Sequence, residues 1–263
     1  MALTYSSYLK LDQLLDLQQM QSNGNAHDEM LFIVIHQNYE LWFKELLHEI
    51  DFLLVTLETR EIVQARRTLN RFRSILKVLA LQMDILETMS SPQFLTFRDL
   101  LGNASGFQSA QFRELEFAFG HKRAELLQAY PEKSSARQRL RKRLESATVW
   151  DSFMHYLSQC GYPIPAHVLN RDLARKIEPS RKVQSILLQI YRNDRDTADF
   201  CESLLDIDEG IQEWRYRHVK MVERIIGNRS GTGGSTGVEY LKSTLFNPSF
   251  PDLWAIRSEF KKQ

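Results

Sequence analysis

The sequence predicts an all-α protein, a helical bundle with long core helices. Apolar residues recur at helical spacing along most of the chain, and no segment shows the strict alternation of a half-buried strand. Glycine (11) and proline (7) are scarce in 263 residues, which disfavours turn-rich sheet architectures. Two periodic stretches, about 28–58 and about 180–227, are long enough to cross a domain, since thirty residues of helix reach roughly 45 Å.

The elements follow in order. A first short helix fits about Ser7 to Met20, and the polar stretch Ser22-Asn23-Gly24-Asn25 breaks it. Asp28-Glu29 then places negative charge at the positive end of a long helix that runs to Glu58. A third helix fits Arg60 to Met89. Ser91-Pro92 reads as N-cap and first-turn proline of a short helix ending near Gly102. Another runs from about Phe107 to Phe119. Residues 121–179 are more polar, carry smaller helices and include a basic run from Arg137 to Arg143. No aromatics interleave that run, so a solvated helix face outweighs a nucleic-acid patch. The long stretch from Ser180 to Gly227 has an interruption near Asp194. A glycine-rich segment, 231–237, and a last short helix complete the chain. With no internal repeat and no shift of composition, residues 1–263 are expected to form a single domain.

A formal net charge of +1 gives no long-range field toward nucleic acid or an anionic membrane. The longest aliphatic cluster, Leu31 to Ile35, is far short of the ~20 residues that a membrane span needs. The N-terminus lacks a basic start followed by an apolar run, so a cytoplasmic location is expected. Cys160 and Cys201 stand in no metal-like spacing and are expected as buried free thiols.

Four features could carry chemistry. His218 shares a helical face with Trp214, Met221, Val222 and Ile225. Such a residue is either a satisfied core histidine or an axial ligand, because a flat apolar macrocycle needs an apolar wall with one imidazole aimed at its metal. His36 follows Phe32 by one turn in MLFIVIHQNYELWF and is open to the same two readings. No pair of histidines one turn apart argues for zinc. Arg98 follows Phe94 and Phe97; it could clamp a carboxylate through two parallel hydrogen bonds or pair locally with Asp99. The glycine-rich segment lacks the ending of a phosphate loop but permits a flexible lid.

Together these features resemble one family. HDEMLFIVIHQNYELWFKELLHE (27–49), FRDLLGNASGFQSAQFRELE (97–116), WRYRHVKMVERIIG (214–227) and GTGGSTGVEYL (231–241) are similar, in the same order, to signature blocks of the tryptophan 2,3-dioxygenases. LTYSSYLKLDQLL (3–15) resembles the N-terminal segment of that family, and about 121–180 is the least diagnostic region.

The resemblance implies an all-helical enzyme enclosing one haem b per subunit, ferrous when active, that uses O₂ to open the indole 2,3 bond of L-tryptophan. It implies His218 as the axial ligand of the haem iron and Ser105 at the haem edge. His36 matches the histidine near the indole N–H, Phe32 the aromatic that packs on the indole, and Arg98 the arginine that binds the substrate carboxylate. Thr232 matches a threonine at the amino-acid end of the substrate. Tyr5 and Tyr8 match tyrosines that reach a neighbouring subunit's active site, so a homotetramer with exchanged N-terminal segments is implied. Some members carry tyrosine where this chain has Phe94 and Phe112, and neither is given a polar role. Relatives that insert one oxygen atom into simpler indoles remain an alternative, against which Arg98 and Thr232 argue.

Overall fold

The computed structural model describes residues 2–227, 229 and 237–260. All regular elements among them are helical. In chain order they are α1 (Tyr5–Leu9), α2 (Leu11–Leu14), α3 (Asp28–Glu58), α4 (Ile62–Leu86), α5 (Ser91–Arg98), α6 (Ala110–Ala118), α7 (Ser135–Glu145), α8 (Val149–Gln159), α9 (Ala166–Leu169), α10 (Arg181–Asn193), α11 (Arg195–Ile226), α12 (Val238–Ser243) and α13 (Pro251–Ala255), with short 3₁₀ turns between some of them.

Most expected boundaries hold, and the departures have local causes. The first helix is two short ones, because Lys10 adopts a left-handed conformation (φ 53°) between α1 and α2, and the second ends at Leu14 rather than near Met20. The N-cap of α5 is Ser90 rather than Ser91. Its side chain and that of Gln93 form a reciprocal capping box, and Pro92 lies in the first turn. The interruption at Asp194 is real: its carboxylate accepts the Thr197 N–H and starts α11. The basic run lies on α7, where Leu140 and Leu144 face inward. Arg139 pairs with Glu114 and Arg143 with Asp51. Cys201 is buried as expected, but Cys160 is exposed, because it caps the end of α8 rather than facing the core.

The long helices make the frame. α4 packs against both α3 and α11. It buries Ala65, Leu69, Phe72, Leu76, Leu79 and Met83, at helical spacing. α4 and α11 run parallel in one register. Arg66 pairs with Asp199 (2.8 Å), Arg73 with Asp206 (2.6 Å) and Asp84 with Arg217, while Ser91 Oγ donates to the Arg224 carbonyl (3.0 Å). Each rung joins residues 133 apart in sequence. The rungs on the α4 side are spaced by the repeats of 7 and 11 residues that keep one helix face toward a partner. Exposed pairs of this kind contribute about 0–1 kcal/mol each, so they set register more than stability. Close approach is possible because Gly210 has no side chain; a Cβ there would meet Leu76 Cδ1 at 3.1 Å. Farther along α11, buried Asp208 accepts from Ser249 N (3.0 Å) and Trp254 Nε1 (2.8 Å), which pins the C-terminal segment to the frame.

α6 brings a buried charge cluster against α11. Glu116 accepts from Arg113 Nη1 (2.5 Å), Arg123 Nη2 (2.7 Å) and Arg215 Nη2 (2.9 Å). Burial raises the pKa of this carboxyl, but the Arg113, Arg215 and Arg123 charges outweigh it and hold the value down at about 2. One carboxylate therefore ties together α6, the segment after it and α11. Breaking a buried ion pair by removing one partner costs about 3–5 kcal/mol, so Glu116→Gln is expected to lower unfolding free energy by that amount in urea titrations. A depressed carboxyl pKa contributes stability that is full above the ordinary value of 4.5 and is lost as pH falls toward about 2. The parent protein should lose urea resistance over that window, and the variant should lose less; equal acid sensitivity in both would assign the loss to other carboxylates.

Candidate active site

Trp214 organises the site. Its ring lies 6.2 Å from Tyr39, 6.4 Å from Phe43 and 5.0 Å from Phe112, between centroids, and so joins α11 to α3 and α6. The Tyr39 hydroxyl donates to the Leu79 carbonyl (2.7 Å), which holds that phenol against α4. One turn beyond Trp214, His218 stacks on it with centroids 5.3 Å apart and planes within 2°. One turn before Tyr39 along α3 lies His36. Residue numbers rise along α3 as they fall along α11, so the two helices are antiparallel here. The aromatic layer of Trp214, Phe112 and Phe43 forms a floor, and the two imidazoles occupy the next level.

Both imidazoles have pKa values below the ordinary histidine value. Burial, followed by the nearby His36, Arg215 and Arg113 charges, pushes the His218 pKa down to about 4. His218 is thus within electrostatic reach of His36. The pKa of His36 is also lowered, by burial, against the opposing pull of the Phe32 carbonyl and Glu40. Both side chains nevertheless keep accessible surface, as groups lining an interior space do. His36 Nδ1 donates to the Phe32 carbonyl (2.7 Å). That bond assigns the proton to Nδ1 and leaves Nε2 as an acceptor.

An aromatic wall stands beside His36. Phe32 lies 4.0 Å from the His36 ring, 5.8 Å from Phe94 and 5.5 Å from Phe97. The last two are the buried residues of α5, which packs against both α3 and α11. Arg98 is the last residue of α5, partly buried, so the chain delivers a guanidinium to the end of the phenylalanine wall.

The opposite flank is cationic. Arg113 lies over the Phe107 ring (4.8 Å) and the Phe112 ring (5.5 Å), and Arg215 over Phe112 (5.9 Å). Arg123 Nη1 donates to the Tyr240 hydroxyl (2.9 Å), and Tyr240 meets Phe107 edge-on at 5.3 Å. Three guanidiniums share the single Glu116 carboxylate, which leaves the flank locally positive.

The structure thus brings Phe32 and His36 together with Phe94 and Phe97 and stacks His218 on Trp214, with Arg98 following the phenylalanines as the last residue of α5. Ser105 Oγ accepts the Phe107 N–H (3.3 Å), capping the turn that presents Phe107 to the cationic flank. Tyr5 and Tyr8 are exposed on α1, at 75% and 70% of full accessibility. Thr232 and the rest of 230–236 lie outside the described residues, and Gly237 starts α12 with φ 65°. Phe94 packs against Phe32 and Phe97, and Phe112 packs against Phe43 and Trp214 and lies under the Arg113 and Arg215 guanidiniums. Sequence reasoning gave no role to Trp214, Arg113, Arg215 or Glu116. The Arg113–Glu116 spacing of one turn was the available signal, but it reads equally well as a solvated surface pair.

Comparison with known proteins shows the family of the chain. A family model described as tryptophan 2,3-dioxygenase matches residues 1–148 and 184–260. The stretch between falls within the region whose sequence is least diagnostic. A protein of Herpetosiphon aurantiacus named tryptophan 2,3-dioxygenase is 52% identical over 258 residues, covering 98% of each chain. Proteins of the same name from Anaeromyxobacter sp. (strain K) and Caulobacter vibrioides are 49% and 42% identical, covering 97% and 98% of this chain and 96% and 98% of their own. This chain belongs to the tryptophan 2,3-dioxygenase family.

Proposed function

We infer that the protein is a haem-dependent tryptophan 2,3-dioxygenase, which combines L-tryptophan with O₂ to give N-formyl-L-kynurenine. The observation that carries this reading is His218 stacked on Trp214 of α11, with Phe32 and His36 of α3 against the α5 phenylalanines, in a chain that belongs to this family over nearly its full length. All 263 residues are taken as one catalytic unit.

The residues present fit an iron porphyrin. His218 is a single neutral donor on an apolar helix face, which suits a metal that arrives with its own equatorial ligands. Among the described residues no group of three or more His, Cys, Asp or Glu is placed to hold a bare metal ion. Arg113 and Arg215, whose charges reach His218, give the positive potential that the carboxylates of a haem b require. His218 is assigned as the iron ligand and Ser105 to the haem edge. The haem, ferrous and one per subunit, supplies activation of O₂.

The other residues bind and orient. Phe32 and the wall behind it take the indole by aromatic packing. His36 Nε2 accepts the indole N–H, since its Nδ1 proton is committed to Phe32. That bond fixes which ring edge is presented and leaves proton abstraction unnecessary, because an indole N–H is a very weak acid. Arg98 holds the substrate carboxylate with a charge-assisted fork, and Thr232 contacts the amino-acid end. Exposed Tyr5 and Tyr8 complete a neighbour's site in a homotetramer, which excludes water from the reacting atoms. No described helix is long and apolar enough to cross a membrane, in keeping with a cytoplasmic enzyme.

The direct test is turnover of L-tryptophan by the reduced protein under ¹⁸O₂. N-formylkynurenine carrying two labelled atoms is expected; a product with one labelled atom would move the protein to the single-oxygen relatives, and no product would refute the reading. His218→Ala is expected to abolish the haem absorption band or its characteristic position, and an unaltered spectrum would remove the ligand assignment. Arg98→Ala and His36→Ala should separate binding from orientation. The first should raise KM for L-tryptophan by roughly 30-fold or more, as loss of a charge-assisted pair does. The second removes one hydrogen bond and should lower kcat roughly tenfold with haem intact. Complete loss of activity in the second would make His36 an essential base.

A further inference from the structure

Behind the aromatic floor lies a second space. Between α3, α4, α6 and α11 there is a cavity in which about 30 Å³ is open to the centre of a water-sized sphere. Leu46, Phe72, Leu76, Leu79 and Ile211 are among its lining residues, as are Trp214 and Phe112 of the aromatic floor. Its surface is almost wholly apolar.

The lining residues Glu116, Arg215 and His121 direct most of their polar groups elsewhere, while Trp214 Nε1 and Arg215 Nε are buried without a partner. The Glu116 carboxylate is committed to three guanidiniums. Arg215 donates to Glu116 and to the Thr244 carbonyl. His121 Nε2 is hydrogen-bonded to Ser249 Oγ (3.1 Å). A water molecule needs two to four polar partners, and roughly 10–15 Å³ of such space is enough to hold one; this cavity has the room, but its surface exposes almost no polar atom to bond one. An apolar diatomic has no hydrogen bonds to lose and gains dispersion contacts from every wall.

We propose that this cavity is a binding site for a small apolar gas molecule, dioxygen in the reaction inferred above. The identity of the gas rests on that reading; the apolar binding site does not. Trp214 belongs both to the cavity wall and to the stack on His218, so one aromatic layer separates stored gas from the reacting centre. Rotation of Phe112, which also lines the cavity, connects the two spaces with Trp214 in place, and side-chain motion of this size occurs far faster than enzymatic turnover.

Xenon is the probe. In the haem-loaded protein with ¹³C-labelled methyl groups, xenon pressure should shift the methyl resonances of Leu46, Leu76, Leu79 and Ile211 saturably. Ile211→Phe, which fills the space, should abolish the shifts, and Leu76→Phe serves if that variant does not fold. The filled variant should show a roughly threefold rise in KM for O₂, with kcat at saturating O₂ and KM for L-tryptophan unchanged. No xenon response in the parent protein, or an ordered water in the cavity bonded to buried Arg215 Nε, overturns the site. An unchanged KM for O₂ in a filled variant overturns its role in oxygen supply. Xenon shifts in a protein that turns over no tryptophan would keep the cavity as a gas site and refute the proposed function alone.

Discussion

The site depends on the packing of one indole. Trp214 meets Tyr39 and Phe43 of α3 and Phe112 of α6, so it fixes how far α11 stands from its antiparallel neighbour at that level. A smaller side chain would let the long helices close on each other. With the indole in place they stay apart, and the next turn of each presents an imidazole into the space that results. The stack of His218 on Trp214 also fixes the orientation of the histidine ring. A ligand whose direction matters is therefore set by a rigid neighbour one turn away, with no need of a hydrogen bond from a distant loop.

Electrostatics follows from the same placement. A histidine that is to bind a metal, or to accept an N–H, must be unprotonated. Here burial does most of that, and Arg113 and Arg215 add to it for His218. Those arginines would be costly in a low-dielectric interior on their own. Glu116 makes them tolerable by accepting from both and from Arg123. The cluster thus does two things with one set of charges. It adds to the burial that lowers the His218 pKa, and it offers positive potential on one flank for an anionic group. The phenylalanines of α5 are followed by Arg98 of the same helix, so a further cationic residue comes from an element outside the cluster.

Much of this was legible in the sequence, and what was not has a physical reason. α3 begins and ends where the acidic first turn and the apolar period place it, because thirty residues of consistent pattern outweigh any local ambiguity. His218 on the stripe with Trp214, Met221 and Ile225 was readable for the same reason. The break at Lys10 was hidden: no glycine or proline marks it, and two helices of five and four residues carry too little pattern to be separated. The exposure of Cys160 was hidden too, since a residue at a helix end can face either way. Arg113, Glu116, Arg123 and Arg215 look like surface charges, because their burial is a property of three elements meeting and not of any one helical period. Long-range pairing of α4 with α11 was invisible for a related reason. Its rungs recur at spacings of seven and eleven, but single exposed ion pairs have no sequence pattern of their own.

A planar wedge has a geometric consequence. An indole held between three helices fills a slab of space, while the helices on either side of it are rounded and lined by branched aliphatic side chains. The volume left behind the slab, toward Leu76, Leu79 and Ile211, cannot be filled by Trp214 without tilting it off His218. Leaving that volume empty costs under about 1 kcal/mol at the usual penalty per cubic ångström of cavity. Tilting the indole would disturb the orientation of the one side chain assigned to the metal. The smaller cost is the void, and an interior that must admit a small apolar reactant has a use for it. Core packing and reactivity are then two readings of one constraint, the fixed plane of Trp214.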